Sequence, residues 1–155
     1  MPAAAMPSPL HLDQQLCFAL YNASRAMTAA YRPLLEPLGL TYPQYIAMLA
    51  LWQRDHVSVG ELGEALLLDS GTLTPLLKRL EQAGLVSRRR RRSDEREVEI
   101  ALTAAGRALR RRAAGIPERM LCRTGMAPAD FIRLRDALGA LAARLSPRPL
   151  QGATP

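Results

Sequence analysis

Apolar residues return every three or four positions near the start of the chain. Leu16, Leu20, Ala23 and Met27 mark one face of a first helix. Asp13 is placed to cap it, and it should run to about Arg32 or beyond, with Pro33 and Pro37 disturbing its end. "GLTYPQYIAMLALW" opens a second helix, with Thr41 as N-cap, Gln44 as capping-box partner and Pro43 in the first turn. Two short helices follow around a tight turn. The first covers about Val59 to Leu66. The second starts after Asp69 or Ser70 and runs to about Gln82 on a stripe of Leu73, Leu76, Leu77 and Leu80. Pro75 is expected in its first turn, and Gly84 supplies its stop. The period then changes. Val86, Val98, Ile100 and Leu102 predict two short strands, with a polar hairpin tip near Ser93 and Asp94. The remainder predicts two more helices, separated at Gly125, the second starting at Pro128.

Helix, turn, helix and then a hairpin is the order of a winged helix-turn-helix: mainly α, with a small β wing. Charge sharpens that picture. The chain carries +7 overall, and residues 78 to 96 hold eight basic against three acidic side chains, or +5 of it. Such a concentration is the footprint of a polyanion. The second helix of the pair is the one that enters a DNA major groove by its N-terminal residues. Ser70, Thr72, Thr74 and Pro75 would meet base edges or phosphates there, with Lys78 and Arg79 further along. In the wing, Arg88, Arg89, Arg90, Arg91, Arg92 and Arg96 supply positive charge, and Arg96 is suited to an adjacent minor groove.

Composition excludes other classes. At 155 residues and 48% apolar the chain suggests one globular domain. No apolar run is long enough to span a bilayer, and residues 1–9 lack the features of a signal peptide, so a cytoplasmic protein is expected. Residues 1–9 and 146–155 read as loose tails. His11 and His56 are isolated and offer no zinc spacing with the cysteines; no metal or cofactor is implied. There is no Gly-rich phosphate loop and no nucleophile elbow, hence no indication of an enzyme.

The two cysteines, Cys17 and Cys122, are too few and too far apart for a disulfide framework and should be free thiols in a reducing compartment. With Asp13 as cap, Cys17 falls in the second turn. A helix N-terminus favours thiolate, but the effect fades within about one turn. A tyrosine hydroxyl donating to the sulfur would add to it. Tyr31 lies on the same helical face 14 residues on, about 21 Å away at 1.5 Å per residue, so it cannot touch Cys17 within one helix. An antiparallel second copy would bring the two together. From spacing alone, a buried structural cysteine and a reactive one both fit.

"VGELGEALLLDSGTLTPLLKRLEQAGLVSRRR" followed by "SDEREVEIALTAAGRAL" resembles the MarR family of transcriptional regulators, and Asp94-x-Arg96 matches that family's wing motif. "LCFALYNASRAMTAAYRPLL" with "GLTYPQYIAMLALW" is similar to one branch, the organic-hydroperoxide-resistance regulators, in its two-cysteine form. The resemblance covers about residues 10–145. It implies a DNA-binding part over about 41–102 and dimerisation helices over about 13–36 and 103–145. It implies a homodimer on a pseudo-palindromic double-stranded operator, released by an organic hydroperoxide that oxidises Cys17. It implies that Tyr31 and Tyr42 of one chain hold Cys17 of the other, with Tyr21 as a further candidate and Tyr45 open. It also implies that Cys122 is a resolving cysteine, paired with Cys17 across the dimer. The run Arg88 to Arg92 is richer than the branch leads one to expect. Two rivals stand beside this reading: a MarR-type repressor released by a small aromatic ligand without thiol chemistry, and a thiol peroxidase. The second lacks a Pro-x-x-x-Thr-x-x-Cys context and leaves the basic wing without a purpose.

Overall fold

A computed structural model describes residues 10–90 and 96–146. The chain divides into two compact units, Met1–Ala114 and Gly115–Pro155. In the first, α1 (Leu16–Leu35) leads through a 3-10 turn into α2 (Tyr42–Gln53). Then come β1 (Val57–Ser58), α3 (Val59–Leu66), α4 (Ser70–Gln82), β2 (Val86–Arg90), β3 (Val98–Leu102) and α5 (Ala104–Ala113). The second unit holds α6 (Ile116–Thr124) and α7 (Pro128–Leu145). The fold is a winged helix with a three-stranded antiparallel sheet in the order β1-β3-β2.

Helix α2 is apolar on nearly all sides and forms the centre, burying Tyr45, Ala47, Met48 and Leu51. Both bonds of its expected capping box form, Gln44 N–H to Thr41 Oγ1 at 3.4 Å and Thr41 N–H to Gln44 Oε1 at 2.8 Å. Ser58 and Glu61 make a second box for α3 at 3.0 and 2.7 Å. On α4, Leu73, Leu77 and Leu80 are fully buried, each contributing about 2 kcal/mol. The helix ends in a Schellman motif. Gly84 takes φ +71, its N–H bonds Glu81 O at 2.9 Å, and Leu85 N–H bonds Leu80 O at 3.0 Å. The α3–α4 turn passes through Leu67 at φ +56, a left-handed conformation that costs a leucine about 1 kcal/mol.

Several expectations need correction. Asp13 does not cap α1: it sits in a 3-10 turn, Leu12–Gln14, and Gln15 is the N-cap. Cys17 is therefore the second residue of α1, in its first turn. Two prolines lie within helices. Pro33 lies inside α1 and Pro75 inside α4, six residues in rather than in the first turn. Each removes a bond to the carbonyl four residues back, Ala29 and Gly71, and both of those residues are exposed, so water can serve them. The stretch expected as one helix before Gly125 is two, broken at Ala114–Gly115, with Pro117 in the first turn of α6. Cys122 thus lies on the sixth helix, not the fifth. The third strand, β1, was not expected at all.

The cap of α4 carries a prediction. Asp69 accepts the Thr72 N–H at 2.8 Å and the Thr72 hydroxyl at 3.1 Å. These bonds, the backbone one first, hold its carboxyl below the ordinary 3.8. A carboxylate depressed on folding stabilises above its unfolded pKa, and that stability fades as pH falls through the lowered folded value. Wild type should therefore lose stability relative to Asp69→Ala below about pH 4. Parallel melting curves down to that range check it; curves that keep a constant separation would refute the cap's contribution.

Candidate nucleic-acid interface and thiol centre

With its leucines turned inward, α4 exposes Ser70, Thr72, Thr74, Pro75, Lys78 and Arg79. All six expected residues therefore share the outward side of one helix. The Thr72 hydroxyl is already donating to Asp69, which leaves it as an acceptor toward any ligand.

In the hairpin, Val86 pairs with Leu102 and Arg90 with Val98. Strand alternation puts Val86 and Arg88 on one face. Arg88 is half-buried, with Nη1 4.0 Å from Glu81 Oε2 on α4 and Nε buried without a hydrogen-bond partner among the described residues. It braces the hairpin against α4. Arg89, Arg90 and Arg96 are exposed. Arg91, Arg92 and Asp94 lie outside the described residues.

The root of the hairpin is tied to its surroundings by side chains the sequence did not single out. Asp55, between α2 and β1, accepts the Leu102 N–H at 2.8 Å. Arg107 on α5 donates to Leu102 O at 2.8 Å and approaches Asp55 at 3.5 Å. Thr103 donates to Gly84 O at 2.6 Å and accepts the Gly106 N–H at 3.0 Å. The Trp52 indole N–H donates to Gly106 O at 2.9 Å.

Cys17 is exposed at the start of α1, and Cys122 is exposed near the end of α6. Tyr31, at the far end of the same unbroken α1, packs against Tyr42 with ring centroids 4.9 Å apart and against Tyr45 at 5.6 Å. Tyr45 in turn meets Trp52 edge-on at 6.5 Å. Burial raises the hydroxyl pKa of Tyr31, helped by Tyr42, and that of Tyr42. Burial first, then Tyr31 and Tyr42, pushes Tyr45 up to about 12. All three stay protonated near neutrality and are O–H donors. Tyr21 is not in the cluster: it is exposed, under the Arg25 guanidinium at 5.5 Å. The part of Tyr45 and Trp52 was readable in principle, since positions 42, 45 and 52 fall on one helical face. A groove of about 760 Å³ opens beside Tyr42, between Arg25, Thr28 and Arg32 of α1 and Thr41.

Two helices expose apolar side chains along their length. In α1 only Leu34 and Leu35 are buried, while Leu16, Phe18 and Met27 are exposed. In α7 nothing is buried, and Ile132, Leu134, Leu138 and Leu145 face outward. Among the described residues no three His, Cys, Asp or Glu side chains form a metal-binding group, and no helix is long and apolar enough to cross a membrane.

Residues 29–112 match the family model for the transcriptional regulators SarA/Rot. The chain is 49% identical over 129 residues to the organic hydroperoxide resistance transcriptional regulator of Bacillus subtilis, covering 83% of this chain and 88% of that one. Among solved structures it is similar to AbfR, a protein of Staphylococcus epidermidis. The reduced, DNA-bound form of AbfR is 38% identical, with a TM-score of 0.68, covering 84% of this chain and 94% of that one. The disulfide form of AbfR aligns with a TM-score of 0.58 at 38% identity, over 84% and 91% of the two chains.

Proposed function

The chain belongs to the SarA/Rot family of transcriptional regulators, with the MarR-type winged helix, and from that premise we propose that it is a homodimeric repressor released from its operator by organic hydroperoxides acting on Cys17. The observation that carries the reading is the placement of Tyr31, Tyr42 and Cys17. Tyr31, near the C-terminal end of α1, packs on Tyr42 at the start of α2, while the exposed thiol stands at the opposite end of α1, with the exposed Phe18 and Met27 between. Two α1 helices packed antiparallel would cover those apolar side chains and set each Cys17 beside the other chain's Tyr31 and Tyr42. The hydroxyls, kept protonated, would then donate to the sulfur. The same symmetry presents two α4 helices to two half-sites of a pseudo-palindromic duplex.

The chemistry balances. The Cys17 thiolate attacks the distal peroxide oxygen, the O–O bond breaks, and with one proton the products are a sulfenic acid and the alcohol. The sulfur is oxidised by two electrons and the peroxide reduced by two. The Cys122 thiol of the second subunit then displaces water from the sulfenic acid and leaves an intersubunit disulfide. Its geometry requires Cα atoms within about 7 Å; where the reduced dimer holds the two cysteines further apart, the dimer helices shift to close the bond and the two α4 helices lose their spacing. The relative whose structures include a reduced DNA-bound form and a disulfide form supports this sequence of events.

The test is a gel shift under graded organic hydroperoxide, with a non-reducing gel of the same samples. Operator release should accompany a covalent dimer whose linked peptides contain Cys17 and Cys122. Tyr31→Phe and Tyr42→Phe keep the ring and should need more oxidant for half-release. Release without a covalent dimer would refute the disulfide, and wild-type sensitivity in both tyrosine variants would refute the hydroxyl bonds. Release by a phenol in thiol-rich buffer would favour the ligand-gated alternative.

A further inference from the structure

We propose that Asp55 and Arg107 are positioning residues for operator binding, acting as the joint that sets the direction in which the wing leaves the body of the protein. The inference rests on reading the β2–β3 hairpin as a DNA-binding wing.

Leu102 is the last residue of β3 and stands opposite Val86, the first of β2, so it marks the root of the hairpin. Both of its backbone polar groups are held by side chains from outside the sheet. Its N–H goes to Asp55 Oδ1 at 2.8 Å, and its carbonyl accepts from Arg107 Nη1 at 2.8 Å. The same Asp55 oxygen accepts the His56 N–H at 2.8 Å, just before β1, where His56 takes φ +57. Arg107 Nη1 lies 3.5 Å from Asp55 Oδ2 and closes the ring. Just before β1, His56 Nδ1 lies 3.1 Å from Glu99 Oε1 of β3. Asp55 thus gathers the end of α2, the start of β1 and the end of β3, and Arg107 adds the first turn of α5.

The ion pair alone has little value, since Arg107 is more than half exposed. The two charge-assisted bonds to backbone are the stronger elements. They act at the root of a short hairpin that Arg88 braces against α4 further along. A small rotation at Leu102 is multiplied along the strands, so the exposed Arg89, Arg90 and Arg96 are displaced most. Neither Asp55 nor Arg107 belongs to the outward side of α4 or to the wing strands. Their effect on DNA is therefore through the wing.

The probe is the duplex that wild-type protein enriches from a random-sequence pool, with affinity measured for full-length variants and their folding checked by circular dichroism. Asp55→Ala and Arg107→Ala should each weaken binding about tenfold. The double variant should be no weaker than the worse single, because both act on one joint. Asp55→Asn keeps a carbonyl oxygen for the Leu102 N–H and should recover most of the loss. In an Arg96→Ala background, Asp55→Ala should cost less than it does in wild type, since one of the contacts it aligns is already gone. Unchanged affinity in both single variants would overturn the joint. Full additivity with Arg96→Ala would overturn it too, by showing a defect in the whole fold, and additivity between Asp55→Ala and Arg107→Ala would make Arg107 a direct phosphate contact. Should Asp55→Ala not fold, Arg107→Ala and Asp55→Asn answer the same question. Failure of wild type to enrich any duplex would instead overturn the operator reading on which the joint depends.

Discussion

Cys17→Ser is expected to bind operator within about twofold of wild type and to stay bound at any concentration of organic hydroperoxide that releases the parent. The first half follows from position. Cys17 is exposed at the start of α1, remote in sequence from α4 and the wing, and serine differs by one atom. The second half follows from chemistry. A serine hydroxyl is not ionised near neutrality and has no sulfenic state to enter, so both the attack and the later disulfide are lost. Cys122→Ser separates the steps. It should still form the sulfenic acid, trappable by a dimedone-type reagent, and should pass on to irreversible sulfinic and sulfonic acids for want of a resolving thiol. Normal peroxide release in Cys17→Ser would place the sensor elsewhere.

The largest effect on stability is expected at Gly106. A Cβ there would run into the Leu85 carbonyl oxygen, far inside van der Waals contact, and would also crowd Leu102 Cδ2 at 3.2 Å. Leu85 cannot retreat cheaply: its carbonyl accepts the Thr103 N–H at 3.1 Å, and its own N–H closes the end of α4. Gly106→Ala should therefore cost about 3 kcal/mol or more. That corresponds to a fall of roughly 10 °C in Tm for a chain of this size. Gly115→Ala, where the new methyl meets nothing within 4 Å, is the control and should melt close to wild type. Equal melting of the two variants would refute the steric argument.

The elements with local signals were legible from the residues alone. The bounds of α3, the cap and stop of α4, and the capping box of α2 all depend on side chains within a few positions of the backbone groups they serve. What escaped depends on distant partners. β1 is two residues long, too short for any period, and exists because Val57 and Ser58 pair with Ile100 and Glu99. The break between α5 and α6 had a local sign in Gly115 and Pro117, masked by the helix-favouring run of alanines and arginines before it. Of the site, the outward residues of α4 were legible because the leucine stripe fixes which side faces water. Cys17 was placed one turn too deep because Asp13 outranks Gln15 as a cap on propensity, yet the chain uses Gln15. Arg88 was indistinguishable from its neighbours until Glu81 came to lie beside it. Asp55 and Arg107 gave no sign at all, since their partner is the backbone of Leu102.

The tie between Trp52 and Gly106 has an optical consequence. Trp52 is the single tryptophan of the chain, and its indole N–H is fixed to the carbonyl at the start of α5 while Tyr45 stands 6.5 Å from its ring. At that separation, light absorbed by Tyr45 is handed to the indole rather than emitted. The protein therefore carries its own fluorophore and antenna at the seam between α2 and α5. Emission excited through tyrosine reports whether the antenna is still seated, and the emission maximum reports whether water has reached the indole, so one unlabelled cuvette follows this seam separately from the melting of the helices.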